Sequence, residues 1–162
     1  MITQKSSTYK QAKRKKPRFI QGWYEIMNPE KFRLPADDFM KSYKSGHVNH
    51  KSGLELKSFH YCDFNPNIKE WSLEPFAIQY LSPKDGKMHR YYPDIWIRFT
   101  TGDTFLVEVK SSQETKPPRK NDKLYAKKLQ TYLINRAKWQ AAKSFCESNE
   151  MSFQILTEKV LN

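Results

Sequence analysis

Cysteine is scarce in this chain. The 162 residues include only Cys62 and Cys146, far apart and without a Cys-x-x-Cys pair. That excludes a disulfide-stapled scaffold and a cysteine-based zinc framework, and fits two reduced thiols in a cytosolic protein. His47, His50 and His60 do not make up the deficit, because His-x-x-His followed by His-x-Cys matches no common structural zinc spacing. Long apolar runs are missing too. No stretch approaches the ~20 residues of a membrane span, and no signal-peptide pattern opens the chain. Acid is the third shortage: 17 Asp and Glu stand against 29 Lys and Arg, a formal net charge of +12. A surplus of that size favours polyanionic partners, nucleic acid first and an anionic membrane surface second. Aromatic residues, at 14%, are plentiful enough to core a single domain.

The positive charge is unevenly spread. Residues 1–24 hold seven basic residues, among them Lys13, Arg14, Lys15, Lys16 and Arg18, and no acid. Without them 22 basic residues face 17 acidic ones, a net charge of +5. Such a run reads as a basic arm that stays mobile until it meets an anion, ahead of one folded domain over 25–162. Two readings of the arm stay open: a solubilising tail, or a contact to DNA or a partner. A second basic stretch lies at Ser111–Asp122, where Lys116, Arg119 and Lys120 surround Pro117 and Pro118. The prolines exclude a helix, leaving an exposed loop or a flap that touches phosphates.

Hydrophobic periodicity outlines the rest. Trp23–Gly46 reads as a loop-rich lead-in with one short helix near Asp37–Tyr43. Ser52-Gly53-Leu54-Glu55 fits a capping box and starts a helix that Asn65-Pro66-Asn67 ends. Trp71–Leu81 is a strand whose alternation slips at Glu74-Pro75, which predicts a bend or bulge. Ser82–Gly86 is a turn. Leu129, Leu133, Ala137, Ala141 and Phe145 recur every fourth residue and predict a helix over Lys123–Ser148. Met151–Thr157 closes the chain as a strand beyond that crossover. The expected class is α/β with a mixed sheet, in the order helix, three-strand meander, helix, strand.

The chemistry concentrates in Tyr91–Lys110. Asp94–Phe99 and Thr104–Val109 flank Thr-Thr-Gly-Asp, a hairpin signature. Alternation gives Glu108 and Lys110 one face and Val107 and Val109 the other. A fold at Gly102 sets Asp94 opposite Lys110, one diagonal step from Glu108. Two carboxylates that close repel unless a proton or a cation joins them. Their oxygens, with the Val109 carbonyl, suit Mg²⁺, with Mn²⁺ as a substitute. Lys110 would orient the attacking water or stabilise phosphoryl charge. As a base it would need a pKa far below ~10.4. Glu55 has two open roles, helix cap or third carboxylate. The rival to a hydrolytic site is a solvated Glu108–Lys110 ion pair.

Pro93-Asp94 followed by Glu108-Val109-Lys110, with Glu55 on the preceding helix, resembles the PD-(D/E)xK, or restriction-endonuclease-like, nucleases. Three segments carry a closer likeness: Tyr61–Asn67, Ser82–Tyr91 and Asn135–Ala142. With Ile155–Lys159 they resemble the head completion nucleases of T-even-type tailed phages, and more distantly the endonuclease subunit of heteromeric transposases. The resemblance implies a restriction-endonuclease-like core and a metal-dependent DNA endonuclease of the virion, assembled in the host cytoplasm. It also implies phage head or portal proteins as partners. A single-site enzyme cutting both strands would favour a transient dimer on DNA. The alternative is a non-catalytic DNA-binding adaptor of the head or portal.

Overall fold

The computed structural model of the chain describes residues 21–35 and 37–161. Lys13, Arg14, Lys15, Lys16 and Arg18 lie outside them. Four short strands come first: β1 (Gly22–Glu25), β2 (Phe32–Arg33), β3 (Tyr43–Lys44) and β4 (His47–His50). Helix α1 (Gly53–Phe64) and strand β5 (Ile68–Leu73) follow. A ribbon, β6 (Ile78–Leu81) and β7 (Met88–Tyr91), comes before the hairpin of β8 (Ile95–Phe99) and β9 (Thr104–Val109). Helix α2 (Tyr125–Ser148) and β10 (Ser152–Leu156) end the fold.

The central sheet runs β10-β9-β8-β5-β2, with β5, β8 and β9 antiparallel and β10 parallel to β9. Side-chain alternation splits the core between its two faces. Trp71, Leu73, Ile95, Ile97, Val107 and Val109 bury against Phe59 and Cys62 of α1. Leu106 points the other way, into a cluster with Ala142 and Cys146 of α2. Both thiols are free and buried.

The expected meander is present but interrupted. β5 pairs with β8 rather than running on through Leu81. The slip at Glu74-Pro75 is a full break, with Glu74 in a left-handed conformation at φ +41°. It ejects β6 and β7 into a separate two-stranded ribbon. The lead-in is also more ordered than a loop: β1, β4 and β3 form a small antiparallel sheet, and Asp37–Ser42 is a 3-10 helix. β1 crosses the boundary between arm and domain drawn at residue 24. Tyr24 is buried and donates to Asp63 Oδ2 at 2.6 Å, while the Met27 and Asn28 amides reach the same carboxylate at 2.8 and 3.0 Å. One buried acid of α1 thereby holds the incoming chain.

Helix α2 begins two residues later than the sequence predicts, and its buried seam is rotated from the every-fourth-residue stripe. Trp139, Ala142 and Cys146 are its buried residues. Ala137, Ala141 and Phe145 are only partly covered, and Leu133 is 46% exposed. The first turns of the helix border a cleft lined by Pro83, Tyr125, Ala126, Leu129 and Leu133.

Candidate active site

The turn of the β8–β9 hairpin sets the register of the site. Arg98 pairs with Thr104 and Ile95 with Val107, so the ribbon folds about Thr101, with Gly102 at φ +95°. Gly102 donates to the Phe99 carbonyl at 3.0 Å and Phe99 to the Asp103 carbonyl at 2.9 Å. Carried one residue further, that register sets Asp94 opposite Glu108, not opposite Lys110. The bulge that Gly102 permits closes the ladder one residue early, which shifts each cross-strand partner by two. The Asp94 position therefore lies straight across from that of Glu108 rather than on the diagonal expected, and the charge of Glu108 reaches the Asp94 carboxyl.

Backbone ties hold both strand ends. The Val109 amide donates to Asp94 Oδ2 at 2.7 Å. The Glu74 amide donates to the Asp94 carbonyl at 3.0 Å, and the Lys110 amide to the Leu156 carbonyl of β10 at 3.0 Å. The parallel strand supplied by the α2 crossover thus fixes the chain at Lys110. Glu108, only 5% exposed, accepts the Tyr91 hydroxyl at 2.6 Å on Oε2 and the Lys110 ammonium at 3.2 Å on Oε1.

Burial, then the charge of Glu108, pushes the Asp94 carboxyl up to about 8, against the pull of Lys110 and the Val109 amide. Burial alone would lower the Lys110 ammonium, but Glu108 and Asp94 outweigh it and the net shift is upward. Lys110 is therefore held as a cation in the protein alone, which favours charge stabilisation over the base role. Burial and Glu108 also raise the Tyr91 phenol, so it remains a donor.

Glu55 sits across a shallow cleft lined by Lys51, Glu55, Phe59, Leu73, Glu74 and Asp94. Its expected cap is formed. The Ser52 hydroxyl accepts the Glu55 amide at 3.1 Å, and Glu55 Oε2 accepts the Lys51 amide at 2.6 Å, one residue before the usual capping-box donor. Its side chain still borders the cleft with Asp94. Asp94, Glu108, Val109 and Lys110 meet at one ribbon end with Glu55 nearby. Lys116, Arg119 and Lys120 are exposed on the segment that follows Lys110. Its start is pinned where Ser112 bonds Glu158.

Two contributors escaped the sequence reading. Tyr91, which holds Glu108, lies three residues before Asp94, and only a folded ribbon brings it under Glu108. Glu74 marked a flaw in a strand, and that break turns it into the cleft beside Asp94.

The donors fit a hard divalent cation. They are oxygens, and the facing pair carries a proton affinity that a cation would relieve. Among the described residues no three Asp, Glu, His or Cys side chains already converge as a metal cage. A pair completed by backbone oxygen and water is the arrangement Mg²⁺ favours.

A family model described as the TnsA-like endonuclease N-terminal domain matches residues 65–158, which include Asp94, Glu108 and Lys110 and leave Glu55 outside. The head completion nuclease of Enterobacteria phage T4 is 35% identical over 118 residues, covering 68% of this chain and 79% of that protein. The mixed sheet with its two helices is consistent with the restriction-endonuclease-like fold expected from the sequence.

Proposed function

Because the chain belongs to the TnsA-like endonuclease family, we propose that it is a DNA endonuclease of phage head completion, working with a divalent metal at Asp94 and Glu108. The observation that carries this reading is a buried Glu108 ion-paired to Lys110, with a partly buried Asp94 at the same strand end whose carboxyl feels the Glu108 charge. A protein that only grips a polyanion has no use for acids packed together at the end of its central strands.

Asp94 and Glu108 would hold Mg²⁺ or Mn²⁺, with the Val109 carbonyl and, on the far side of the cleft, Glu55 as further oxygen donors. When bound, the ion would supply Lewis acidity toward the scissile phosphate and a more acidic water. The protein's own part is mostly positioning. The Val109 amide fixes Asp94 on one oxygen, and Tyr91 and Lys110 fix Glu108 on both. The Lys110 ammonium, kept charged by its neighbours, stabilises the negative charge that builds on the phosphoryl group. Lys116, Arg119, Lys120 and the basic residues of the arm would meet the flanking phosphates. Sites of action in the virion and during assembly in the host, contact with head or portal proteins, and a transient dimer for double-strand cutting complete the reading.

A plasmid nicking assay tests it. Purified protein is expected to relax supercoiled DNA with Mg²⁺ and not in EDTA. Asp94→Ala, Glu108→Ala and Lys110→Ala should each lower cleavage by at least 10²-fold while still retarding DNA. Undiminished nicking in all three would remove the site. Retardation without nicking, in the wild type with either metal, would leave a DNA-binding adaptor.

A further inference from the structure

The β6–β7 ribbon stands apart from the central sheet, and its two faces differ. Ile78, Tyr80 and Tyr91 bury against α2. The opposite face carries Gln79 paired with Arg90 and Leu81 paired with Met88. Leu81 and Met88 are 61% and 58% exposed and sit directly across from each other, an apolar pair open to solvent. Every residue from Pro83 to Arg90 is exposed.

The tip is built to hold its shape. Ser82 donates its amide to the Lys87 carbonyl at 2.8 Å, and Gly86, at φ +66°, donates to the Ser82 carbonyl at 2.9 Å. Its one acid, Asp85, is taken up by His89 at 2.9 Å and by the Lys87 amide at 3.1 Å. The Lys84 and Lys87 ammonium groups have no carboxylate partner among the described residues. The tip therefore presents uncompensated positive charge around an exposed apolar pair.

The base of the ribbon ends at the active site. Tyr91, the last residue of β7, holds Glu108, and Asp94 follows three residues later. We infer that this ribbon is the surface that engages duplex DNA beside the cut, with Lys84 and Lys87 on phosphates and Leu81 and Met88 against the groove. A two-stranded ribbon fits the width of the major groove, and the charge of the tip complements a polyanion. Ten steps along the chain lead from Lys84 to Asp94, which at ~3.3 Å each span at most about 33 Å. The contacts therefore fall within about ten base pairs of the scissile phosphate, at ~3.4 Å per step. This inference rests on the nuclease reading for its geometry.

The test measures binding of the full-length chain to a 30-base-pair duplex in EDTA across a salt titration, wild type beside Lys84→Ala/Lys87→Ala. Loss of two phosphate contacts should reduce the slope of log affinity against log salt by about 1.8. Affinity at low salt should fall about tenfold, with Tm unchanged. Leu81→Ser/Met88→Ser should weaken binding without changing the slope. With Mg²⁺, the lysine variant should raise KM and leave kcat in place. Equal slopes and equal KM for wild type and lysine variant would overturn the ribbon surface even if the wild type nicks DNA. A reduced slope in the lysine variant, with a wild type that never nicks, would keep the surface and remove the nuclease.

Discussion

Raising the pH should destabilise the metal-free protein through Asp94. Its carboxyl is pushed from 3.8 to about 8 by burial and by the facing Glu108. The folded state thus binds this proton more tightly than the unfolded chain does. The stabilisation is whole below about pH 4 and is lost as the pH climbs toward 8. At about 1.4 kcal/mol per unit, the separation corresponds to roughly 6 kcal/mol. Asp94 keeps some exposure, and solvent screening brings the expected loss to about 3 kcal/mol. For a chain of this size that lowers Tm by roughly 6–12 °C. Lys110 does not confuse the window, because its raised pKa only takes effect above its ordinary 10.5. Calorimetry from pH 5 to 9 in EDTA, wild type beside Asp94→Asn, reads the effect directly. The wild type should lose Tm across this range and the amide variant should not, while Mg²⁺ at pH 8 should restore the wild type alone. Parallel pH profiles for the two proteins would refute the reasoning.

Tyr91→Phe removes the 2.6 Å donor to Glu108 and leaves the ring in place. Stability should fall by about 1–3 kcal/mol and metal affinity by ~10–100-fold, so cleavage should recover at saturating Mg²⁺; calorimetric titration with Mn²⁺ checks the affinity. Asp63→Ala strips the acceptor from Tyr24 and from the Met27 and Asn28 amides inside the fold. A loss of about 3–5 kcal/mol, read by urea denaturation, should come with proteolytic cutting near the first strands, and intact resistance there would show that the lead-in is held by other contacts.

Much of the fold was legible in the sequence because local rules set it. The Ser52 cap, the helix end at Asn65, the alternation of Val107 and Val109 against Glu108, and the crossover to a last parallel strand all follow from periods of 2 and 3.6 and from turn chemistry. The rotated seam of α2 was not, because Leu129 and Leu133 have the right spacing but border an open cleft beside Pro83. The separate ribbon was hidden for a similar reason. Ile78 and Tyr80 alternate as a strand should, whichever sheet receives them.

The sequence by itself singled out the residues to which the chemistry is assigned, Asp94, Glu108 and Lys110, at the ends of two strands with a glycine turn between. Only the tertiary structure decided how they meet. The Gly102 turn moved the register by two and set the Asp94 position across from that of Glu108, and β10 anchored the Lys110 backbone. A phenol brought round by the inserted ribbon then took hold of Glu108. The β10 anchor joins segments far apart in the chain, and the turn geometry and the ribbon's placement are choices among registers and partners that the pattern of apolar residues leaves equally open.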